Sequence, residues 1–302
     1  GKIIDTLQYE RNKVVKTYLN LEPRLAVGYL LSANSSIKAS YVRNAQYMHL
    51  ISNFNGSSPL DKWASTSNLI KPQISNQYSV GYYSNLLSNA YEITIEGYYK
   101  DMENIIDYRD GADLFLNESI ETQLLYGKGR AYGMEFMLKK KTEKLTGWVS
   151  YTISKTERLI NGINKNKWYN AKQDRTHDIA IVAMYELNKK WTLSGNFVFY
   201  TGDAVTFPSG KYTIGEQTTY YYTGRNADRM PNYHRLDLGA TLKLKSTKKW
   251  SKELVFSLYN AYGQENAYTI NFKDNEANPN KTDIVQTSLF RWVPSISYNF
   301  KF

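Results

Sequence analysis

Between Arg235 and Lys245 the chain reads R-L-D-L-G-A-T-L-K-L-K. Leu236, Leu238, Ala240, Leu242 and Leu244 fall on one face of an extended strand, and Arg235, Asp237, Thr241, Lys243 and Lys245 on the other, because successive side chains point to opposite sides. Such a strand separates an apolar medium from water. A soluble sandwich would turn the apolar face inward, whereas a transmembrane barrel turns it outward to lipid and encloses a wet lumen. Which medium touches the leucines decides what the chain can do.

The alternation recurs along the sequence. It predicts about eleven strands, at 22–32, 36–50, 75–87, 90–108, 123–139, 144–160, 174–187, 190–208, 232–245, 251–270 and 284–302. Tyr91, Ile93, Ile95 and Tyr99 oppose Glu92, Thr94, Glu96 and Lys100; Ile179, Ile181, Ala183 and Tyr185 oppose Asp178, Val182, Met184 and Glu186. The connections carry a second period. Short turns at 32–35, 88–89, 140–143, 188–189 and 246–250 alternate with long loops near 51–74, 109–122, 161–173, 209–231 and 271–283. Short periplasmic turns alternating with long extracellular loops are the habit of outer-membrane barrels. A propeller would show a blade motif at fixed period, and none occurs.

Composition agrees with a barrel. The mean hydropathy is −0.55, and no apolar run nears the roughly 20 residues of a spanning helix. A barrel strand needs only about 9–11 residues, half of them facing water, so a hydrophilic average is expected. The 27 Tyr among 302 residues fit the aromatic girdles of such barrels. The absence of Cys removes disulfides and thiolate metal sites. A net charge of +10 raises nucleic acid as a partner. The basic residues nevertheless scatter into turns, among them Lys139, Lys140, Lys141, Lys144, Lys189, Lys190, Lys245, Lys248 and Lys249, so solvated turns and headgroup contacts account for them better.

Topology adds an expectation. With the short turns on the periplasmic side, both the first and the last of eleven strands run downward, and two downward edges cannot close as an antiparallel pair. An open edge in lipid leaves backbone groups unsatisfied. At least one further strand is therefore expected on the N-terminal side, making 1–302 one barrel portion, the C-terminal half of a larger wall.

Several segments resemble the C-terminal half of TonB-dependent outer-membrane receptors of the kind found in Bacteroidetes. They are YMHLISN (47–53), SNQYSVGYY (75–83), EGYYKDMENIIDY (96–108), GKGRAYGMEFMLKKKTEKLTGWVSYTISKTER (127–158), YTGDAVTFPSGKY (200–212), YHRLDLGA (233–240), SLYNAYGQENAYTINF (257–272) and SYNFKF (297–302). The resemblance implies an all-β, antiparallel transmembrane barrel of 22 strands with a plugged lumen. It also implies a plug, a TonB box and a carboxypeptidase-like regulatory domain upstream of Gly1, with the TonB complex as the energising partner. Tyr298, Phe300 and Phe302 resemble the terminal signal read by the barrel-assembly machinery.

Catalysis finds little support. Asp174, Arg175, His177 and Asp178 form the densest polar cluster, but no nucleophile elbow, H-E-x-x-H or phosphate loop accompanies it. Asp174 and Asp178 are expected to share a strand face in a lumenal charge ladder. His49, His177 and His234 are far apart, so no metal site or other cofactor is expected. The better candidates for ligand contact lie in the external loops: Trp63, Trp168, Tyr169, Tyr220, Tyr221, Tyr222, Arg225 and Arg229. Exposed rings provide rigid area, and guanidinium reads carboxylate or phosphate. Glu92, Glu96, Glu135, Asp178, Arg235 and Asp237 are expected to face the lumen or a plug. The leading reading is an outer-membrane receptor that captures a scarce solute, with siderophore, haem, vitamin, peptide and glycan all compatible. A subunit of an outer-membrane assembly, a passive porin-like barrel and a soluble lectin-like sandwich are the alternatives. Lipid, lipopolysaccharide and a surface lipoprotein or other outer-membrane subunit are the further partners expected.

Overall fold

In a computed structural model, which describes residues 8–51, 62–110, 112, 120–215, 217–245, 250–278 and 281–302, eleven strands lie side by side in chain order. They are β1 (Arg24–Ser32), β2 (Ser35–Gln46), β3 (Gln73–Leu86), β4 (Tyr91–Tyr108), β5 (Leu124–Lys140), β6 (Leu145–Ile160), β7 (His177–Glu186), β8 (Trp191–Tyr200), β9 (Tyr233–Lys243), β10 (Ser251–Tyr259) and β11 (Val293–Lys301). Every neighbouring pair is antiparallel. Within the described sheet β1 pairs only with β2, and β11 only with β10, so both edges are open. Among the described residues no helix is long and apolar enough to cross a membrane.

The alternation of connection length is borne out. Residues 33–34, 87–90, 141–144, 187–190 and 244–250 make the short turns, of which 246–249, including Lys248 and Lys249, lie outside the described residues. Leu87, Ser88 and Asn89 all take positive φ, the left-handed backbone that closes so tight a reversal. Four expected strands prove shorter than their sequence patterns. Expected strands 36–50, 190–208 and 251–270 end at Gln46, Tyr200 and Tyr259, and 284–302 begins at Val293. The surplus pairs separately in the long loops: Met48–Ile51 with Lys62–Ser65, Ala204–Val205 with Asp228–Arg229, and Thr269–Asp274 with Thr282–Thr287, while a further hairpin, Gly210–Ile214 with Gln217–Tyr221, stands in the loop after Tyr200.

One sheet face is apolar and uncovered. Ile181, Leu238 and Tyr298 are 37 %, 45 % and 54 % exposed, far from core burial. The buried apolar residues Ile51, Ile70, Met102, Ile105, Tyr108, Leu124, Ile160 and Ile163 instead gather at the long-loop end. On the apolar face Tyr41, Tyr78, Tyr99 and Tyr132 stand in direct register across β2 to β5. At the short-turn end Trp191 stacks on Phe256 and Trp250 on Phe300. From Tyr91 to Tyr99 β4 crosses the band between these belts, and that length of strand matches the roughly 9–11 residues a bilayer requires.

From the tyrosine row upward the chemistry of this outer face changes, beginning with Lys155 directly opposite Tyr132. Arg130 and Lys155 both pair with Glu157, at 2.7 and 2.8 Å, where hydrocarbon would forbid charge. The upper part of β4, β5 and β6 therefore stands clear of the band as a raised wall. A bulge at Asn104, with φ 56°, breaks the β4–β5 register between Glu103 and Ile105. Its amide donates to the Pro72 carbonyl at 2.9 Å. The extra residue turns Ile105 and Asp107 to the inner face, opposite to where an unbroken strand would place them.

An arginine on the apolar face between the belts should be disruptive. Leu238→Arg is expected to cost about 2–4 kcal/mol of stability in lipid, read as an earlier urea midpoint for the protein in lipid vesicles, whereas Ser194→Arg on the inner face should leave the midpoint nearly unchanged.

Candidate functional site

The long loops are bound to the raised wall by buried ion pairs, and Asp107 is the centre of the largest. Its carboxylate accepts from the Arg225 guanidinium at 2.7 Å and from the Tyr169 hydroxyl at 2.9 Å, with Arg158 at 3.6 Å. Arg225 also donates to the Tyr108 carbonyl. The Arg225 and Asp107 side chains are 3 % and 8 % exposed, so the pair is removed from water. Burial, reinforced by Asp107, pushes the Tyr169 hydroxyl well above its ordinary pKa, so it remains a donor.

Two further clusters extend this tie. Asp174, buried in the loop before β7, accepts from the Thr156 backbone N–H and from Arg229, which also donates to the Gly202 carbonyl. Asp174 therefore braces two loops and does not share a strand ladder with Asp178, as its spacing suggests. Arg175 pairs with Asp203 at 2.6 Å and stacks over the Tyr200 ring. Gly202 is needed where these segments cross, since a Cβ there would lie 1.7 Å from the Met230 carbonyl oxygen. Asn170 and Asn226 exchange side-chain to backbone bonds. Farther out, Lys211 joins the hairpin at 210–221 to that at 269–287 through Asp274, at 2.6 Å.

The expected external residues consequently divide. Trp63 is 65 % exposed, and Tyr221 and Tyr222 are also exposed. Trp168 lies under the Arg130 guanidinium at 4.2 Å, and the Tyr220 hydroxyl reaches Asp274. Tyr169 and Arg225 are buried and Arg229 is half-buried, all three engaged as loop anchors. The expectation that these three are exposed is overturned, because each finds a carboxylate inside the mouth. Asp107, Asp174 and Arg175 are the anchors whose roles the sequence pattern did not disclose.

The six lumenal candidates share the inner face. Glu96 stands directly opposite Glu135, and Asp178 opposite Thr152 and Tyr200. Glu96 accepts from Tyr83 at 2.6 Å, and Glu92 pairs with Lys141. Arg235 pairs with Asp237 at 2.9 Å and donates to the Tyr233 and Tyr259 hydroxyls. Tyr298, Phe300 and Phe302 are all exposed on the last strand or just past it. His177 meets the Tyr151 hydroxyl and His234 that of Tyr262. Among the described residues no group of three or more His, Cys, Asp or Glu side chains could hold a metal ion.

Residues 5–261 match the family described as TonB dependent receptor-like, beta-barrel. No curated protein is similar to the chain at a significant level. Solved structures with the same fold include the ferric-catecholate import receptor Fiu of E. coli K12, at 16 % identity and TM-score 0.54 over 91 % of this chain and 34 % of that one. The ferripyoverdine receptor of Pseudomonas aeruginosa is 12 % identical, with TM-score 0.56, over 92 % and 33 %. BauA, the ferric preacinetobactin receptor of Acinetobacter baumannii, is 15 % identical, with TM-score 0.55, over 92 % and 36 %. The chain thus spans about a third of the length of these structures.

Asp107→Ala would take from Arg225 its nearest carboxylate and leave Asp110, at 3.6 Å, to face the guanidinium, an expected loss of about 1–3 kcal/mol at the mouth. Limited proteolysis should then cut 161–176 and 203–230 readily while the band between the belts stays resistant. The outer pair predicts a pH effect. The Lys211 ammonium holds the Asp274 carboxyl below its ordinary pKa. The contribution to loop order is then complete above the unfolded value of about 3.9 and fades as pH falls through the lower folded one. Hydrogen-exchange protection across 269–287, measured against the intrinsic rate at each pH, should fall below about pH 4 in the parent and be less pH-dependent in Lys211→Met.

Proposed function

This chain belongs to the TonB-dependent receptor β-barrel family, and we propose that residues 1–302 are one continuous portion of a 22-stranded wall in an outer-membrane receptor for a scarce solute. The observation that carries this reading is the apolar face, uncovered between two aromatic belts, backed by a polar inner face and crowned by anchored loops. Further strands close the two open edges, since hydrocarbon cannot satisfy their backbone groups. The receptor proposed is of the Bacteroidetes type, with a plug and a carboxypeptidase-like regulatory domain, driven by the TonB complex.

The inner face supports a plugged lumen. Cross-strand like charges such as Glu96 and Glu135 repel when directly opposite, and a basic plug surface resting on them would offset that. Lipid and lipopolysaccharide contact the outer face, and a surface lipoprotein or another outer-membrane subunit can seat on the hairpins. Trp63, Tyr221 and Tyr222 are the first points of solute capture, with Trp168 and Tyr220 behind them; Tyr169, Arg225 and Arg229 act by holding the loops in place.

The hairpin at 210–221 closes on itself through Ser209 and Thr223, upstream of Arg225. Replacing 210–222 by a short Gly-Ser link should lower solute uptake by roughly tenfold or more while leaving a heat-modifiable barrel of unchanged, nearly closed conductance in planar bilayers. Undiminished uptake would refute capture by this loop, and large open conductance in the parent would favour a porin.

A further inference from the structure

On the lipid-facing side the rows of side chains are not evenly filled. Val80, Gly97, Met134 and Ile153 stand in direct register across β3 to β6, one step below the tyrosine row. A Cβ built on Gly97 would meet no atom within 4 Å, so the missing side chain leaves a true hollow between exposed neighbours. It belongs to a shallow recess of about 680 Å³ that runs beneath Tyr99 and Tyr132 and ends at Lys155. Four strands make its floor, about 14 Å across at roughly 4.8 Å per step, which is broader than one hydrocarbon chain. The recess lies in the middle of the described sheet, so closure of the two open edges leaves it untouched.

The rim above the recess carries charge that its own neighbours do not balance. Arg130 and Lys155 share one carboxylate, Glu157, which is 8 % exposed while they are 35 % and 46 % exposed. Lys155 gives that carboxylate one ammonium N–H and keeps others for an outside partner. In the rows above, Asp101 stands opposite Arg130 and accepts from Asn76, which accepts from Arg43, and Glu103 stands opposite Lys128. Arg43, Lys128, Arg130 and Lys155 thus meet Asp101, Glu103 and Glu157, and one positive charge is left over. The Trp168 and Tyr132 rings, at 4.2 and 5.7 Å, hold the Arg130 guanidinium at the rim. A surplus cation directly above a hydrocarbon recess fits an anionic headgroup that carries alkyl chains.

Resting on the outer-membrane reading above, we infer that this recess is a site for one phosphorylated, multiply acylated glycolipid of the outer leaflet, the lipid A part of lipopolysaccharide. Its acyl chains lie over Gly97 and its phosphate meets Lys155 and Arg130. The long-loop side of the band faces the cell exterior, which fixes the leaflet. A two-chain phospholipid would leave part of the four-strand width unfilled, and a second copy of this chain would bring the same positive rim against itself.

Native mass spectrometry of the intact receptor carrying this chain, stripped of lipid in detergent, tests it. Monophosphoryl lipid A, the same lipid without its phosphate and dioleoylphosphatidylglycerol are added separately. One monophosphoryl lipid A should be held about tenfold or more tightly than either of the others. Gly97→Leu fills the hollow and Lys155→Gln removes the cation, so each should weaken that lipid about tenfold, whereas Lys155→Arg should retain it. All three positions changes lie on the exposed outer face, and the parent's heat-modifiability should persist in each variant. Equal retention of the three lipids, undiminished binding by Gly97→Leu or Lys155→Gln, or a dimer that excludes lipid A would each overturn the site. Carbonate extraction and energised uptake, measured separately, report on the receptor reading. Release of the chain by carbonate sinks that reading and the site with it, unselective lipid retention by an extraction-resistant receptor sinks the site alone, and a selective complex without energised uptake sinks transport alone.

Discussion

Hydrocarbon offers no hydrogen bonds, and the arrangement of this chain follows from that deficiency. Each strand between the two belts must hand its N–H and C=O groups to its neighbours, which is why eleven antiparallel strands run in unbroken chain order. Only side chains that need no water can face the lipid, so Ile181, Leu238 and their equivalents stand exposed without forming a core. Where lipid ends, the rule ends with it. Lys155 continues the Tyr41–Tyr132 row on the same face, and Arg130 and Glu157 stand just above it.

The core that a globular protein would keep at its centre is here displaced to the mouth. Ile105, Ile160, Ile163 and Tyr169 pack there, and Asp107 gathers groups from β4, β6 and two long loops around one carboxylate. Long loops ordinarily cost conformational entropy to order. Buried ion pairs and the small apolar core offset that cost, so the exposed rings of Tyr221 and Tyr222 are carried on a fixed frame.

Strand number, sidedness and the alternation of short and long connections were legible because a two-residue period is imposed by the boundary between lipid and water. The Leu236–Leu244 and Ile179–Tyr185 faces could be assigned from it directly. Above the boundary the period loses its meaning. Ile270 and Phe272 still alternate with polar neighbours, and Ile284 and Val285 are apolar and strand-forming, but all four belong to a loop hairpin, which is why two expected strands overran. Nor does residue type distinguish an exposed arginine from a buried one: Arg225 finds Asp107 across 118 residues of chain. The Asn104 bulge is a single positive φ in an otherwise uninterrupted β4. His49 reads as an ordinary polar residue at a strand end, although it is 2 % exposed, since burial is set by what surrounds a side chain.

Because the parapet that β4, β5 and β6 raise above the tyrosine row is continuous with the membrane staves, substitutions at the loop tips can alter the outermost surface without loosening the foundations on which it stands. Relatives sharing this architecture can accordingly diverge at the tips while remaining nearly superimposable below the rim.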